Sequence, residues 1–428
     1  HRCLYYSCSS SSFHKGLSIM AAVTIVGIGD EGCGGLTSVA FGKIQRAQVL
    51  VGGNRQLDFF PDFRGHKISF QNGLMKVISE IASLCEENNV VVLASGDPLF
   101  YGVGDLISKK IGKEHIEILP NLSSIQLAFS RIKEKWDNCK VISVHGRPIK
   151  GLINKLQHES KVALLTDEEN SPIRIASYLK EYNELDWEIH VLENLGGANE
   201  KASSFSVENI KGEFSPLNVV ILKRISRFTA PAFKIRADEE FAKRMPKKGL
   251  ITKKEVRALA ISNMEIKRDS IIWDIGAGSG SVSIESAKIA IDGEVHAIEV
   301  DPEGVEICKE NAINFKTDNI NVIEGLAPKA LEDLPSPDCV FIGGTKGSMK
   351  ETLSFVLDKL KEGGRVVVSA ITLDNVSSAY ESFKELGYFP ELELVQVSRG
   401  KKLAHYMRYD ALNPIHLFSV TKKGKENE

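Results

Sequence analysis

Short apolar runs alternate with amphipathic segments along most of the chain, and this pattern predicts parallel β-sheets covered by helices. A first series of apolar runs lies at 22–29, 48–52, 89–95, 115–119 and 139–145. A second series predicts strands at 271–275, 294–300, 321–323, 338–342, 365–370, 391–397 and 415–420. Helical patterns fit this second series at 281–290, 303–316, 347–360 and 375–387. The last two strands have no such helix between them, which predicts an antiparallel end to the second sheet.

The two series are separated by a mixed, charged stretch that is poor in long apolar runs. At 428 residues the chain is too long for one ordinary core. We therefore predict one domain at 20–226 and a second at 249–428, joined by a linker at 227–248. Residues 1–19 are Ser-rich and contain no acidic residue. They are predicted to be a disordered leader outside the fold, either translated upstream sequence or the remnant of a plastid or mitochondrial transit peptide.

Composition excludes several classes of protein. The net charge of −2 argues against a dedicated nucleic-acid binder. No apolar run approaches the roughly 20 residues that cross a bilayer. The seven cysteines include no C-x-x-C pair, so neither a zinc ribbon nor a disulfide framework is indicated, and no metal site is expected. A reducing, cytoplasmic location is the simplest expectation.

The strongest chemical signal is a glycine-rich turn between a predicted strand and a predicted helix. Its residues are Asp274, Gly276, Ala277, Gly278 and Gly280. Glycines let the backbone approach a ligand, and the helix start offers free N–H donors. The third glycine comes one position earlier than in the dinucleotide pattern G-x-G-x-x-G. The turn therefore predicts a nucleotide-like ligand other than the usual dinucleotide.

Charge narrows the choice of ligand. Asp274 would repel a pyrophosphate but suits the ammonium group of a methionine moiety. Glu299 ends the next strand, where its carboxylate can accept hydrogen bonds from both hydroxyls of a ribose. This combination favours S-adenosylmethionine over NAD, with capping roles for the two acids as the alternative. Gly325 and Ala327 follow the third strand and are predicted to lie beside the adenine.

Polar residues also follow three apolar runs of the first half. Gly96, Asp97 and Tyr101 come after one run, Ser123 and Ser124 after the next, and His145 and Arg147 after the third. Ligands of open α/β sheets bind at the carboxyl ends of strands, so these residues are predicted to share one cleft. Read singly, Asp97 could cap a helix and His145 could be a packed histidine.

The first half resembles the tetrapyrrole (corrin/porphyrin) methylases, through Val26–Gly29, Leu36-Thr37, Gly96–Gly102, Ser123-Ser124 and His145–Arg147. The resemblance implies a class III fold, in which S-adenosylmethionine lies between two α/β subdomains near Gly96, Asp97, Tyr101, Ser123 and Ser124. Two positions depart from the pattern. Asp30-Glu31-Gly32 replaces Gly-Pro-Gly, and Asn121 replaces a glycine, although asparagine tolerates a left-handed backbone.

The second half resembles the decarboxylating class I precorrin methyltransferases, through Gly249–Arg257, Trp273–Glu285, Ala327-Pro328, Phe341–Gly344 and Gly363–Arg365. This resemblance implies a doubly wound, Rossmann-like sheet and a polycarboxylate tetrapyrrole (precorrin) substrate. Together the halves imply two S-adenosylmethionine sites per chain, methylation at C5 and C15, loss of carbon dioxide, and a homo-oligomer.

Basic residues are candidates for binding the substrate carboxylates. They are Arg147, Lys253, Arg257 and Arg399, two of them within a basic run at 243–257. The alternative is a solvated basic face. We find no nucleophile or triad, and only Asp97, His145 and Thr252 are candidates for a general acid or base.

Three other functions stay open at this point. One is a methyltransferase acting on RNA. Another is a chain whose first half is a degenerate scaffold, for which the altered 30–32 turn is the reason. The third is an NAD-dependent dehydrogenase.

Overall fold

The computed structural model describes residues 23–226, 234–243 and 251–423. The predicted leader at 1–19 and most of the predicted linker lie outside the described residues. So do Arg244, Lys247 and Lys248 of the basic run. Across the described parts of the chain, no helix is both long and apolar enough to cross a membrane.

The first sheet of the described residues is five-stranded and parallel, with the order β3-β2-β4-β1-β5. Its strands are β1 (Val23–Ile28), β2 (Val49–Gly52), β3 (His66–Ser69), β4 (Val90–Ser95) and β5 (Ile116–Leu119). Its helices are α1 (Ser38–Gln45), α2 (Asn54–Asp58), α3 (Leu74–Leu84), α4 (Gly104–Ile111) and α5 (Ser124–Ile132). β1 is fully buried, which explains its continuous apolar run.

A second five-stranded sheet follows, in the order β6-β7-β10-β8-β9. Its strands are β6 (Lys140–Ser143), β7 (Lys161–Leu165), β8 (Trp187–Glu193), β9 (Lys201–Ser206) and β10 (Asn218–Arg224), with helices α6 (Leu152–Leu156) and α7 (Pro172–Glu181). β6 and β7 are parallel, whereas β10 and β9 pair antiparallel with their neighbours. The first half thus has two α/β subdomains, as predicted.

The second half is a seven-stranded sheet in the order β13-β12-β11-β14-β15-β19-β16. Its strands are β11 (Ile271–Ile275), β12 (Glu294–Glu299), β13 (Ile320–Glu324), β14 (Cys339–Ile342), β15 (Arg365–Ala370), β16 (Glu391–Val395) and β19 (Ile415–Thr421). Its helices are α8 (Lys254–Met264), α9 (Ser281–Ile289), α10 (Pro302–Asn314), α11 (Met349–Lys359) and α12 (Leu373–Glu385). β19 pairs antiparallel with both β15 and β16, which confirms the predicted antiparallel end.

The topology puts a ligand crevice beside β11. From this central strand the chain order runs outward to β12 and β13 on one side and to β14 and β15 on the other. Loops at the carboxyl ends of β11 and β14 therefore diverge and leave a crevice between them. Trp273 of β11 and Phe341 of β14 are fully buried and pack into the two hydrophobic clusters on opposite faces of the sheet.

Several local features differ from the sequence patterns, and β3, β7 and β9 lie outside the predicted apolar runs. A hairpin of β17 (Ser398–Leu403) and β18 (Tyr406–Ala411) was not predicted, because neither strand buries a face and no alternation marks it. Pro98 is of a residue type well suited to open the helix after β4, but α4 begins only at Gly104. The Asp97 carboxylate accepts from the Leu99 N–H at 2.9 Å, and the Gly104 N–H donates to the Pro98 carbonyl, so a turn intervenes.

Candidate active sites

The second half contains a cavity of about 620 Å³ at the carboxyl ends of β11, β12 and β14. This volume is within the range of small-molecule sites. Its walls include many of the predicted residues, namely Thr252, Lys253, Gly276, Ala277, Gly278, Glu299, Gly325 and Ala327. Gly343, Gly344 and Thr345, which follow β14, form the opposite wall.

The glycine turn needs its glycines. Gly276, Gly278 and Gly280 have φ values of 74°, 56° and 73°, which disfavour any side chain. A Cβ at Gly276 would also lie 2.7 Å from the Gly344 carbonyl oxygen across the crevice. A Cβ at Gly280 would instead strike Cys308 Sγ at 2.4 Å, and Gly280 does not line the cavity. Gly276 and Gly278 therefore shape the ligand wall, whereas Gly280 lets α9 pack on α10.

Glu299 is held rigidly in the cavity wall. Its Oε2 accepts from the Gly278 N–H at 2.8 Å and its Oε1 from the Asp301 N–H at 2.9 Å. These bonds tie the end of β12 to the glycine turn. The remaining lone pairs of the carboxylate can accept hydrogen bonds from two vicinal hydroxyls, as a ribose requires.

Asp274 occupies a different place from the one predicted. It is 1% exposed, lies behind the glycine turn and does not line the cavity. The Ser283 hydroxyl donates to its Oδ2, whereas Oδ1 has no hydrogen-bond partner among the described residues. Asp274 therefore does not reach a ligand in the cavity. Its carboxylate instead places a negative charge beneath the glycine turn.

The burial of Asp274 predicts that the free energy of unfolding depends on pH. Burial raises the pKa of Asp274 to about 6. Since this value exceeds that of an unfolded chain, the native state holds the proton longer, and stability falls as pH rises through about 4 to 6. Replacing Asp274 with asparagine removes this linkage. From pH 5 to pH 7.5 the variant should therefore gain roughly 1.4 kcal/mol in unfolding free energy relative to the parent.

Denaturant unfolding of both proteins at the two pH values measures this difference. Comparing the change with pH cancels any pH-independent effect of the substitution. An unchanged gap between the two proteins would contradict the buried titrating carboxylate.

Two predicted substrate ligands are corrected by the structure. Arg257 is 0% exposed, and its guanidinium donates to the carbonyls of Thr252 and Arg236 and to Asp238. Arg399 binds Glu255 at 2.6 Å and Asp238 at 3.0 Å. Neither lines the cavity, because their charges are committed to buried or half-buried carboxylates. Both arginines therefore stabilise the second domain through hydrogen bonds and ion pairs within it.

The first half contains a cavity of about 590 Å³ between its two subdomains. All the residues predicted to share a cleft lie in its walls, namely Gly96, Asp97, Tyr101, Ser123, Ser124, His145 and Arg147. The second subdomain closes the other side with Leu192, Asn218 and Val219. The convergence of three strand ends, predicted from separate apolar runs, is observed here.

Local hydrogen bonds fix this site. The Ser123 hydroxyl accepts from the Gln126 N–H while the Gln126 side chain accepts from the Ser123 N–H, so the two cap α5. His145 Nδ1 lies 2.8 Å from the Thr166 carbonyl oxygen. A carbonyl only accepts, so Nδ1 carries the proton and a neutral ring keeps Nε2 as an acceptor. Tyr101 has a φ of 54°, a strained conformation of the kind that concentrates at functional sites.

Asn121 works differently from the expectation. It is not among the residues with left-handed backbone. Its side-chain amide instead donates to the Gly35 carbonyl at 3.2 Å and to that of Gly27 at 3.4 Å. Position 27 must be glycine, because a Cβ there would lie 2.0 Å from the Gly96 carbonyl oxygen. The asparagine side chain thus links the segment after β5 to β1 and to the loop that follows β1.

Sequence patterns missed several residues of the two sites. Lys346 lines the second cavity with a left-handed φ of 53° in the loop after β14, whereas Lys243, which also lines it, belongs to the basic run predicted from the sequence. In the first cavity Arg55 pairs with Asp30 at 2.7 Å, and both are in the wall. The run Gly343–Gly347 was a usable signal for Lys346, since a lysine between glycines after a central strand lies where ligands bind. Among the described residues, no group of three or more His, Cys, Asp or Glu side chains could hold a metal ion.

Two family models match the chain. One describes tetrapyrrole (corrin/porphyrin) methylases and matches residues 22–211. The other describes a precorrin methyltransferase domain and matches residues 244–422.

A similar protein from Sinorhizobium sp is named precorrin-6Y C(5,15)-methyltransferase (decarboxylating). It is 33% identical over 402 residues, which cover 94% of this chain and 96% of that protein. The chain belongs to this family. The similarity to the Sinorhizobium protein therefore extends over both halves of the chain.

Shorter relatives match one half. A protein of Sulfurisphaera tokodaii, named probable cobalt-precorrin-6B C(15)-methyltransferase (decarboxylating), is 38% identical over 182 residues, covering 42% of this chain and 93% of that protein. A solved structure of a precorrin-6Y C5,15-methyltransferase from Geobacter metallireducens has 38% identity and a TM-score of 0.42. It covers 45% of this chain and 100% of that one.

Proposed function

We propose that this chain methylates a precorrin at C5 and C15 and removes carbon dioxide from its ring C acetate, giving precorrin-8 in cobalamin biosynthesis. The observation that carries the proposal is the presence of two separate cavities, one in each family-matched half. We assign a tetrapyrrole methylase domain to 20–226, a linker to 227–248 and a decarboxylating class I domain to 249–428. The first domain serves C5, and the second serves C15 and the decarboxylation.

Family membership implies S-adenosylmethionine, and the residues of both cavities fit it. In the second domain, Gly276 and Gly278 present backbone without side chains to the cavity, and Glu299 offers a fixed carboxylate for the ribose. Asp274 supplies negative charge beneath the turn for the ammonium end. In the first domain, Gly96, Asp97, Tyr101, Ser123 and Ser124 would hold a second molecule. We propose two cofactor sites per chain.

The sulfonium of the bound cofactor supplies an activated methyl group. The residues of the chain therefore have to bind and orient the ring carbon that attacks it. Alignment alone can provide on the order of 7–11 kcal/mol. No covalent nucleophile is needed for this chemistry. Asp97, His145 and Thr252 line the cavities and are candidates for moving a proton, and in His145 the bond from Nδ1 to the Thr166 carbonyl leaves Nε2 as the acceptor.

The second cavity combines cations with apolar walls, as the substrate requires. Lys243, Lys253 and Lys346 are placed to bind carboxylates that the reaction keeps. Ile251, Val256 and Ile371 offer apolar walls, which favour the loss of charge when the acetate carboxylate leaves as carbon dioxide. When carbon dioxide leaves, the electron pair of the broken bond passes into the conjugated ring. Arg147 is the corresponding cation of the first cavity.

Replacing Glu299 with alanine is expected to weaken S-adenosylmethionine binding in the second domain. The ribose hydroxyls lose a charged partner worth roughly 1.5–3 kcal/mol, or about 10- to 150-fold in affinity. Calorimetry with S-adenosylhomocysteine should show one weakened site and one unchanged site. C15 methylation of precorrin-6B should fall as well.

Glu324 provides the matched control. Glu324 lies on β13, directly opposite Glu299 of β12, but does not line the second cavity. Glu324→Ala should leave both cofactor sites intact. Equal effects of the two substitutions would show that Glu299 is not the ribose ligand.

We also propose that the chain assembles into a homo-oligomer through the end of the second domain. β16 is an edge strand whose Leu392 and Leu394 are 51% and 59% exposed. The β17–β18 hairpin exposes Tyr406 and Tyr409 by 77% and 81%. Exposed apolar groups beside an unpaired strand edge are typical of subunit interfaces. Sedimentation of the full chain tests this, and a monomer at all concentrations would refute it.

The whole reaction is tested by incubating the chain with precorrin-6B and labelled S-adenosylmethionine, followed by mass analysis. The expected product has gained two methyl groups and lost one carbon dioxide. Cofactor stoichiometry separates the alternatives, because two sites support the fused enzyme and one site supports a degenerate first domain. A precorrin left unchanged would refute the proposed function. A cytoplasmic location remains a prediction.

A further inference from the structure

The two domains meet along a buried polar surface, which we call the seam. It is formed by α6 and the end of α7 with the following turn from the first domain, and by the segment between α10 and β13 from the second. Its central polar residues are Asn154, Glu184, Asp318 and Asn319, which are 1%, 2%, 2% and 3% exposed. Surface loops rarely bury charges so completely unless the partner supplies matching groups.

Asp318 takes its hydrogen bonds from the other domain. Its carboxylate accepts from the Ile153 N–H at 2.9 Å, the Asn154 N–H at 2.8 Å and the Tyr178 hydroxyl at 3.0 Å. The two N–H groups are near the start of α6, where helix amides lack partners within the helix. Separating the domains would therefore leave donors on one side and a carboxylate on the other without these partners.

Two further side chains donate across the seam, Asn154 from the first domain and Lys316 from the second. The Asn154 side chain donates to the Ala287 carbonyl at 2.7 Å and to Asn319 Oδ1 at 3.2 Å. Lys316 donates to the Glu184 carboxylate and to the Asn183 carbonyl. Trp187 Nε1 also donates to Glu184 at 2.8 Å, so the Glu184 carboxylate is held by its own domain as well as by Lys316.

We infer that the seam locks the two domains into one unit and holds them together even when the linker is cut. Its directional bonds define a single relative position, since sliding would strip the buried carboxylate of Asp318 of its partners and separate Glu184 from Lys316. The two cavities then keep a constant separation. Where the proposed function holds, the intermediate must leave one cavity and travel to the other, because no domain swing can carry it.

Cutting the folded chain tests the lock. A protease site placed within 227–233 allows the full-length protein to be cleaved after folding. Size-exclusion chromatography with light scattering should then show the two pieces of the parent co-eluting. Asp318→Ala should weaken their association by on the order of 100-fold, as expected when one partner of a buried charged contact is removed.

Asp292 is the matched control. It pairs with Lys155 at 3.5 Å across the same pair of domains, but both side chains are partly exposed, at 45% and 31%. Asp292→Ala should leave the pieces associated. The lock is refuted if the cleaved parent separates, or if the two substitutions have equal effects.

Hydrogen exchange on the uncut chain keeps the test valid if Asp318→Ala does not fold. The Ile153 and Asn154 amides should exchange as slowly as those of β7 in the parent. Exchange of these two amides by local opening, while β7 stays protected, would overturn the inference. Neither measurement uses substrate or cofactor, so failure of the lock is distinct from failure of the proposed function.

Discussion

Replacing Gly276 with alanine should remove one of two cofactor sites and leave the other intact. The new Cβ would sit 2.7 Å from the Gly344 carbonyl oxygen and 2.9 Å from the Gly344 nitrogen, so the crevice wall must shift. The φ of 74° adds roughly 1–2 kcal/mol of strain. Displacing a ligand wall by this much is expected to lower C15 methylation and carbon dioxide release by on the order of 100-fold.

Calorimetry with S-adenosylhomocysteine gives the decisive readout. The parent should bind two equivalents and Gly276→Ala one. Gly363→Ala is a closely matched control, since Gly363 has a φ of 73° but a Cβ there would meet no atom within 4 Å. It carries the same backbone strain without the collision. If both variants keep two sites, the second cavity is not the cofactor site.

Replacing Arg257 with alanine should destabilise the second domain strongly and affect substrate binding only secondarily. The guanidinium is 0% exposed, bonded to two carbonyls and to Asp238, and stacked 4.8 Å from the Phe241 ring centroid. Removing one partner from a buried ionic contact typically costs about 3–5 kcal/mol. The lower end is expected, because Arg399 still pairs with Asp238.

Chemical denaturation of the full chain measures this loss. Arg268→Ala is the control, because Arg268 also pairs with an aspartate, Asp292 at 3.0 Å, but is 60% exposed. Its loss should change the unfolding free energy by less than about 1 kcal/mol. A stable Arg257→Ala protein with a raised KM for precorrin would instead restore the substrate-binding role predicted from the sequence.

Most of the strands could be located from the sequence because central parallel strands bury both faces. Their apolar runs are continuous and need no knowledge of neighbours. The β17–β18 hairpin escaped prediction for the opposite reason, since both of its strands are largely exposed. Helix α4 begins beyond Pro98 because the Asp97 carboxylate accepts a hydrogen bond from the Leu99 N–H, which competes with helix initiation at the proline.

The candidate sites divide in the same way. The glycine turn and Glu299 were found because a strand, a turn and a helix start are contiguous in sequence, so local spacing encodes the geometry. Lys346 was missed although its glycine-flanked position carried a signal. Arg257 and Arg399 were misassigned, because a basic residue in a charged run looks the same whether it faces solvent or a buried acid.

The sequence by itself therefore determined the two-domain α/β architecture and the cradle built around Trp273–Gly280. The sequence also determined the family resemblance. Apolar runs and short motifs consist of neighbouring residues, so they can be read without knowing the fold. Only the tertiary structure decided that Asp274 lies beneath the cradle and that Arg257 belongs to the core. It alone joined Asp318 to Asn154, which are 164 residues apart. Burial and long-range pairing depend on what the rest of the chain brings alongside, and no local pattern contains that information.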